Sequence, residues 1–179
     1  YDYHPQPISE NHNIVFLSGG NSYNVNGIHW FVKEVFPLIR KRFNDAKLLI
    51  GGSICKVIKD LEDISGVQLL GYVDNPADFY AKADVAINPV YQGTGLKIKT
   101  FEALSYDKVT LVHPHSMAGV FKKETAPLFA SDKPIEWIEY LEKVWRSTEY
   151  INSMKEQNKM YLAEMNHFII NEYKRFLNS

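Results

Sequence analysis

At 179 residues, 45% hydrophobic and 13% aromatic, the chain carries enough apolar material for one well-cored domain without disulfides or a structural metal. A formal net charge of −1 and a pI near 6.7 leave no basic footprint for nucleic acid, and no apolar run approaches the roughly 20 residues that span a bilayer. The single cysteine, Cys55, excludes an internal disulfide and a cysteine-rich zinc site and reads as a packed thiol. A cytoplasmic setting is expected, with peripheral attachment to a membrane left open.

The chain opens on Tyr1-Asp2 instead of methionine, which suggests a piece of something longer, and residues 1–12, polar and carrying Pro5 and Pro7, read as a linker or arm. Asn13 to Ser18 is a short apolar run suited to a strand buried on both faces, and Gly19-Gly20 ends it. After a loop from Asn21 to Asn26, the positions Ile28, Phe31, Val32, Val35, Leu38 and Ile39 recur at helical spacing, with Pro37 expected to kink or divide that helix. Lys47 to Ile50 is a second buried strand closed by Gly51-Gly52, and Ser53 is placed to cap a helix reaching about Asp63. Val67 to Leu70 is a third strand, ending at Gly71. Pro76 to Ala83 reads as a short helix and Asp84 to Pro89 as the fourth strand. Val109 to Val112 is the fifth, followed by His113-Pro114-His115 and a small-residue turn, Ser116 to Gly119; Pro127 to Ala130 suits a short edge strand. From Lys133 the pattern is helical, with Ile135, Ile138, Leu141 and Val144 on one face, and a polar-aromatic tail runs to Ser179.

Strands alternating with helices predict an α/β fold, a doubly wound parallel sheet of Rossmann-like type over residues 13–146, with C-terminal helices over 147–179. In such sheets ligands bind outside the carboxyl ends of the strands, so the loops at 19–26, 71–74, 91–96 and 113–119 are expected to share one crevice. Most of the aromatic residues lie at helical spacing and read as core. His113 and His115, at i and i+2, find no third ligand of the right type nearby, so no metal is expected.

The stretch from Gln92 to Leu104 is the most informative. Gly93 and Gly95 flank Thr94 after the apolar run Ala83 to Val90, and a helix-favouring segment begins at Leu96, a pattern of strand, glycine turn and helix N-terminus built to receive an anion. At about 100° per residue Lys97 falls in the apolar sector of that helix with Phe101 and Leu104, an odd place for a lysine unless its amine reaches past the helix end, and Glu102 sits at the sector's margin. The plainer alternatives stay open: a simple connecting turn, a solvated Lys97, and a Glu102 paired with Lys99 three residues earlier on an exposed face.

The order Tyr80-Ala81-Lys82-Ala83-Asp84-Val85-Ala86-Ile87-Asn88-Pro89, then Gly93 to Lys99, then Glu102-Ala103-Leu104, resembles the C-terminal, donor-binding domain of GT-B glycosyltransferases of the retaining, glycogen-synthase-like group, group 1 or family 4. The resemblance runs from about Asn13 to Val120 and includes Phe36-Pro37, the strand end Leu70-Gly71-Tyr72-Val73 and the strand leading to Gly119. It implies that the turn around Thr94, Gly95, Leu96 and Lys97 holds a donor diphosphate, that Glu102 binds the nucleotide ribose, and that the base lies against the backbone of Tyr72 and Val73. Two departures stand out. Where many members carry a first glutamate eight residues before the ribose-binding one, this chain has Thr94. Where many carry an arginine after the first-loop glycine and a lysine before the next glycine, it has Asn21 after Gly20 and Asn26 before Gly27. An amide donates hydrogen bonds but supplies no charge.

The resemblance implies the nucleotide-sugar-binding half of a metal-independent glycosyltransferase that moves a hexose-type sugar with retention. No cofactor is implied beyond the nucleotide-diphosphate sugar itself. The partners implied are that donor, an acceptor the sequence does not identify, and an N-terminal Rossmann domain outside this chain, so the fragment alone is expected to be inactive. No catalytic residue is assigned; Lys97 and Glu102 are the leading candidates. Two other readings are a non-catalytic, degenerate module of the same fold and a sugar-nucleotide epimerase. Finally, residues 148–176 hold more apolar surface than solvated helices should, which leaves two readings, packing entirely on this domain's own sheet or, as the resemblance implies, docking on that N-terminal domain, with part of the surface exposed or covered by a neighbouring copy in the isolated chain.

Overall fold

The computed structural model describes residues 1–93 and 98–177. Six strands, β1 (Asn13–Leu17), β2 (Lys47–Gly51), β3 (Val67–Gly71), β4 (Val85–Asn88), β5 (Val109–Val112) and β6 (Leu128–Ala130), form one parallel sheet in the order β3-β2-β1-β4-β5-β6. The central strands are short runs of β-branched and aliphatic residues, and Ile14, Val15, Phe16, Val85, Val109 and Leu111 are almost fully buried, as strands covered on both faces require. Successive residues feed opposite faces. Ile14 and Phe16 join the larger core, while Val15 and Leu49 join a second core with Phe79, Tyr80, Ala86 and Ala103. Because the order runs outward from β1 one way and from β4 the other, the chain changes direction between those two strands, where the connecting loops part.

The helices are α1 (Ser22–Trp30), α2 (Phe36–Arg42), α3 (Pro76–Tyr80), α4 (Ile98–Ser105), α5 (Pro134–Trp145) and α6 (Thr148–Leu177). The loop expected from Asn21 to Asn26 is shorter than its sequence suggested. Helix α1 begins at Ser22, because the Asn21 side chain accepts from the Asn24 N–H and caps it. Pro37 divides the helix as expected, by an unbroken path: residues Phe31–Val35 widen into a π-helical turn in which the Phe36 N–H reaches the Phe31 carbonyl, and Pro37 then opens α2. The wider turn carries the preceding carbonyls clear of the proline ring.

Three local expectations are corrected. The segment after β2 is two 3-10 turns, Ser53–Lys56 and Lys59–Leu61, and Ser53 caps nothing. Ile54, Ile58 and Leu61 are all buried there, so the helical spacing was an apolar face satisfied by a tighter path. Ile135 stands 57% exposed, and the core position on α5 belongs to Trp137, whose Nε1–H donates to the Ser131 carbonyl at 2.8 Å. The C-terminal stretch is one helix of 30 residues. As far as Met165 it buries Ile151, Met154, Tyr161, Leu162 and Met165 itself, whereas Phe168, Ile169, Ile170, Tyr173 and Phe176 beyond are at least 49% exposed.

Residues 1–12 form no regular element, yet hydrogen bonds hold them along the amino edge of the sheet. Gln6 N–H donates to Asp107 Oδ2 at 3.0 Å, and Ser9 donates to the Asp84 carboxylate from N–H at 3.0 Å and from Oγ at 2.7 Å. Lys108, fully buried beside them, donates from Nζ to the Ala83 carbonyl at 2.8 Å. Burial pulls its ammonium down to about 8, a fall that Asp84 and Asp107 oppose and Lys155 assists.

Candidate functional site

The carboxyl ends of β1, β2 and β3 and the start of α4 enclose a cleft of about 460 Å³, on the side of the sheet where the switch of chain direction places a ligand. Leu17, Ser18 and Gly19 form one wall, Gly52 and Ser53 the floor, Tyr72 and Val73 a second wall, and Ile98, Lys99 and Glu102 the third. The floor depends on a glycine. Gly52 has φ +97°, and a Cβ there would stand 2.2 Å from the Ser18 carbonyl oxygen, so β1 and β2 can approach this closely only with no side chain between them.

Helix α4 is held by its other faces. Thr100 is fully buried and its Oγ1 accepts from Asn88 Nδ2 at 2.8 Å, while Phe101 and Leu104 pack with Tyr161, Leu162 and Met165 of α6. Spacings of three and four residues then turn Ile98, Lys99 and Glu102 together toward the cleft. Glu102 is half-buried, and among the described residues its carboxylate has no hydrogen-bond or ion-pair partner. Burial alone raises its pKa above the usual carboxylate value. A carboxylate left in this state accepts hydroxyl donors readily. Lys99 supplies the positive charge: its Nζ donates to Asn24 Oδ1 at 2.6 Å and lies 5.8 Å from the centroid of the Phe16 ring. Tyr72 at the rim is 85% exposed and offers a ring face to a planar group.

The loop after β4 is braced from β5. His115 Nε2–H donates to the Gly93 carbonyl at 2.7 Å, Ser116 Oγ donates to the Val90 carbonyl at 2.8 Å, and His113 Nδ1 accepts from the His115 N–H at 3.2 Å. Burial holds His113 below its ordinary pKa, which keeps Nδ1 available as that acceptor. Gly93, at φ +94°, lies flat against Tyr23, whose ring a Cβ would meet at 2.9 Å. Among the described residues no group of three or more His, Cys, Asp or Glu side chains is placed to hold a metal ion. A second hollow, of about 340 Å³, lies at the opposite edge of the sheet beside Asp84, whose carboxylate Ser9 already occupies.

Of the residues singled out from sequence, the structure brings Tyr72, Val73 and Glu102 to one cleft, with Gly20 and Asn21 continuing from Gly19 beside it. Asn21 caps α1 through its Oδ1, and Asn26 is exposed on α1 and is not among the residues lining the cleft. Thr94, Gly95, Leu96 and Lys97 lie outside the described residues. Sequence reasoning missed Lys99 and Asn24. The signal for Lys99 was present, since it precedes Glu102 by three residues and so shares its face; nothing local to Asn24 announces a role.

The sequence model of the family described as "Glycosyl transferases group 1" matches residues 11–147. An uncharacterized 44.6 kDa protein in the cps region of Klebsiella pneumoniae is 29% identical over 105 residues, which cover 52% of this chain and 27% of that protein. Among solved structures, TarM superposes with a TM-score of 0.73 at 16% identity, covering 100% of this chain and 38% of that one. The pneumococcal O-GlcNAc transferase GtfA in complex with UDP and GlcNAc superposes with a TM-score of 0.63 at 12% identity over 96% of this chain and 36% of its own. At these identities the structural likeness is one of fold. The chain spans about a quarter of the curated relative's length and under two-fifths of these solved structures.

Proposed function

The chain belongs to the group 1 glycosyl transferases and has the Rossmann-like fold of GT-B enzymes, and from that premise we propose that it is the donor half of a retaining glycosyltransferase, binding a nucleotide-diphosphate sugar in the cleft at the carboxyl ends of β1 to β3. The observation that carries this reading is the pairing of Glu102, a half-buried carboxylate with no partner among the described residues, with the held ammonium of Lys99 one helical turn before it. A carboxylate with two free acceptor positions suits the two hydroxyls of a ribose, and a cation one turn away suits the diphosphate attached to it. The base then lies along Tyr72 and Val73. From sequence, the N–H groups of Gly95 and Leu96 and the charge of Lys97 complete the diphosphate contacts, with Thr94 beside the donor sugar. No metal has a role in this reading, since charge on the leaving diphosphate is met by lysine and backbone. Transfer itself needs an acceptor and the residues of a second domain, so the chain alone binds the donor without turning it over.

UDP is the first probe, because the solved complex of GtfA holds it. Calorimetric titration of the chain with UDP, GDP and ADP is expected to show one saturable site that Glu102→Ala weakens. Absence of binding for all three, or binding that Glu102→Ala leaves unchanged, would overturn the assignment. One observation favours a second reading, a module of this fold kept for partner contact. The amides Asn21 and Asn26 stand where many members of the family carry cations, and the structure commits the first to capping and leaves the second exposed and outside the cleft lining. The same titration decides between the two.

A further inference from the structure

The contacts that tie α1 to the cleft converge on one side chain. Asn24 is 6% exposed; its Nδ2 donates to the Gly19 carbonyl at 2.9 Å, its Oδ1 accepts from Lys99 Nζ at 2.6 Å, and its own N–H donates to Asn21 Oδ1 at 3.0 Å. The amide fits in one sense only, with oxygen toward the ammonium and nitrogen toward the carbonyl. A lysine carries about 2 kcal/mol of rotamer entropy and stays at one point only when something holds it there. Asn24, one of its holders, is neutral. An amide places the ammonium without cancelling its charge, whereas a carboxylate in the same position would neutralise it.

Resting on the reading of the cleft as a nucleoside-diphosphate site, we infer that Asn24 is a positioning residue for anion binding: it holds the Lys99 ammonium beside Gly19, so that the diphosphate meets a charge already in place. The inference differs from a structural role in a measurable way. If Asn24 merely fastens α1 to the glycine turn, its replacement acts whatever stands at position 99. If it acts through Lys99, most of its effect on binding is lost when the lysine is gone.

The test is a double-mutant cycle of Asn24→Asp and Lys99→Met in the full chain, read by titration with UDP, GDP and ADP at two salt concentrations and by thermal midpoints. Asn24→Asp is expected to weaken binding about tenfold with Lys99 present and clearly less in the Lys99→Met background, where only the added charge acts, and to lower the thermal midpoint more in that background, where the buried carboxylate has lost its cation. Its salt dependence of binding should also flatten, since one charge no longer engages the ligand. Should Asn24→Asp fail to fold, Asn24→Ser, which leaves the lysine charged but without its amide partner, is expected to cost about three- to fivefold, again only with Lys99 present. Equal losses in the two backgrounds would overturn the inference while leaving the cleft's assignment intact. A wild-type chain that binds none of the three nucleotides would sink the assignment itself, and this inference with it.

Discussion

Replacing Glu102 by glutamine should weaken nucleotide binding and at the same time stabilise the fold, and both arms follow from the same half-burial. A hydroxyl donating to a charged carboxylate contributes about 1.5–3 kcal/mol, and one donating to a neutral amide oxygen about 0.5–1.5 kcal/mol. With one acceptor weakened and the other turned into a donor, the loss is about 1–3 kcal/mol, roughly 5- to 150-fold in Kd. A 2′,3′-dideoxy nucleotide, lacking the partners, should suffer a smaller loss. The stability arm follows from the raised pKa of Glu102. Between the ordinary carboxylate value of 4.5 and the higher folded value, the folded chain binds more protons than the unfolded one, so this group lowers stability as pH rises through that window. Above the folded value the cost is fully present, and below 4.5 it is absent. Glutamine removes it. Scanning calorimetry at pH 7 and near pH 4 is therefore expected to give Glu102→Gln the higher midpoint at pH 7 and a much smaller advantage near pH 4, while UDP affinity, which falls in acid for both as the terminal phosphate is protonated, falls more for the wild type than for the variant. A variant that is less stable at pH 7, or that loses equal affinity for UDP and its dideoxy analogue, would refute the reasoning.

Gly52→Ala forces a side chain against the Ser18 carbonyl in a left-handed backbone, so roughly 1–2 kcal/mol of strain adds to about 1–3 of overpacking, and Tm should fall by about 4–20 °C; a shift under about 2 °C would mean β1 and β2 do not meet as closely as described. Lys108→Met leaves the Ala83 carbonyl without its donor, a loss of about 1–3 kcal/mol that relief of the buried charge offsets in part near neutrality. Because the folded pKa of Lys108, about 8, lies below the ordinary 10.5, the unfolded chain binds more protons between those values, and the wild type gains stability with rising pH there while the variant does not; urea midpoints at pH 7 and 9.5 that move in parallel for both would contradict this. His115→Ala removes the brace on Gly93 and is expected to reduce UDP affinity by about 0.5–1.5 kcal/mol with little change in Tm, checked by calorimetry; unchanged affinity would separate that brace from the site.

The sheet was legible because a strand buried on both faces can hardly be written any other way: three or four consecutive apolar residues with glycine soon after, as at Ile14 to Gly19 and Leu48 to Gly52. Periodicity failed where two paths bury the same residues. Ile54, Ile58 and Leu61 satisfy a 3-10 path as well as an α-helix, and the choice rests on how tightly Gly52 turns against β1, a contact between distant parts of the chain. Ile135 and Trp137 show the same limit. Both suit a helix face, and the larger ring won the core because its indole N–H found the Ser131 carbonyl. At the site, a helical wheel shows that Lys99 and Glu102 share a face, but not that α1 stands opposite; Asn24 meets Lys99 across 75 positions of sequence. A lysine that lines the cleft thus stands on α4, while Asn21 and Asn26 belong to the start of α1 and its cap.

The π-helical turn at Phe31–Val35 sets the phase between two jobs done by one continuous rod. Upstream, α1 aims Asn24 at the cleft; downstream, α2 aims Phe36 and Ile39 at the core. A π turn carries one residue more than the α-helical path it replaces, which amounts to about 100° of rotation between the two halves. Shortening the rod by that one residue would keep Phe36 and Ile39 in the core and swing Asn24 a quarter-turn or more from Lys99. The alignment of the cleft is thus stored in a count of residues two turns away from it, and an insertion or deletion there would act on ligand binding while touching no group that faces the ligand.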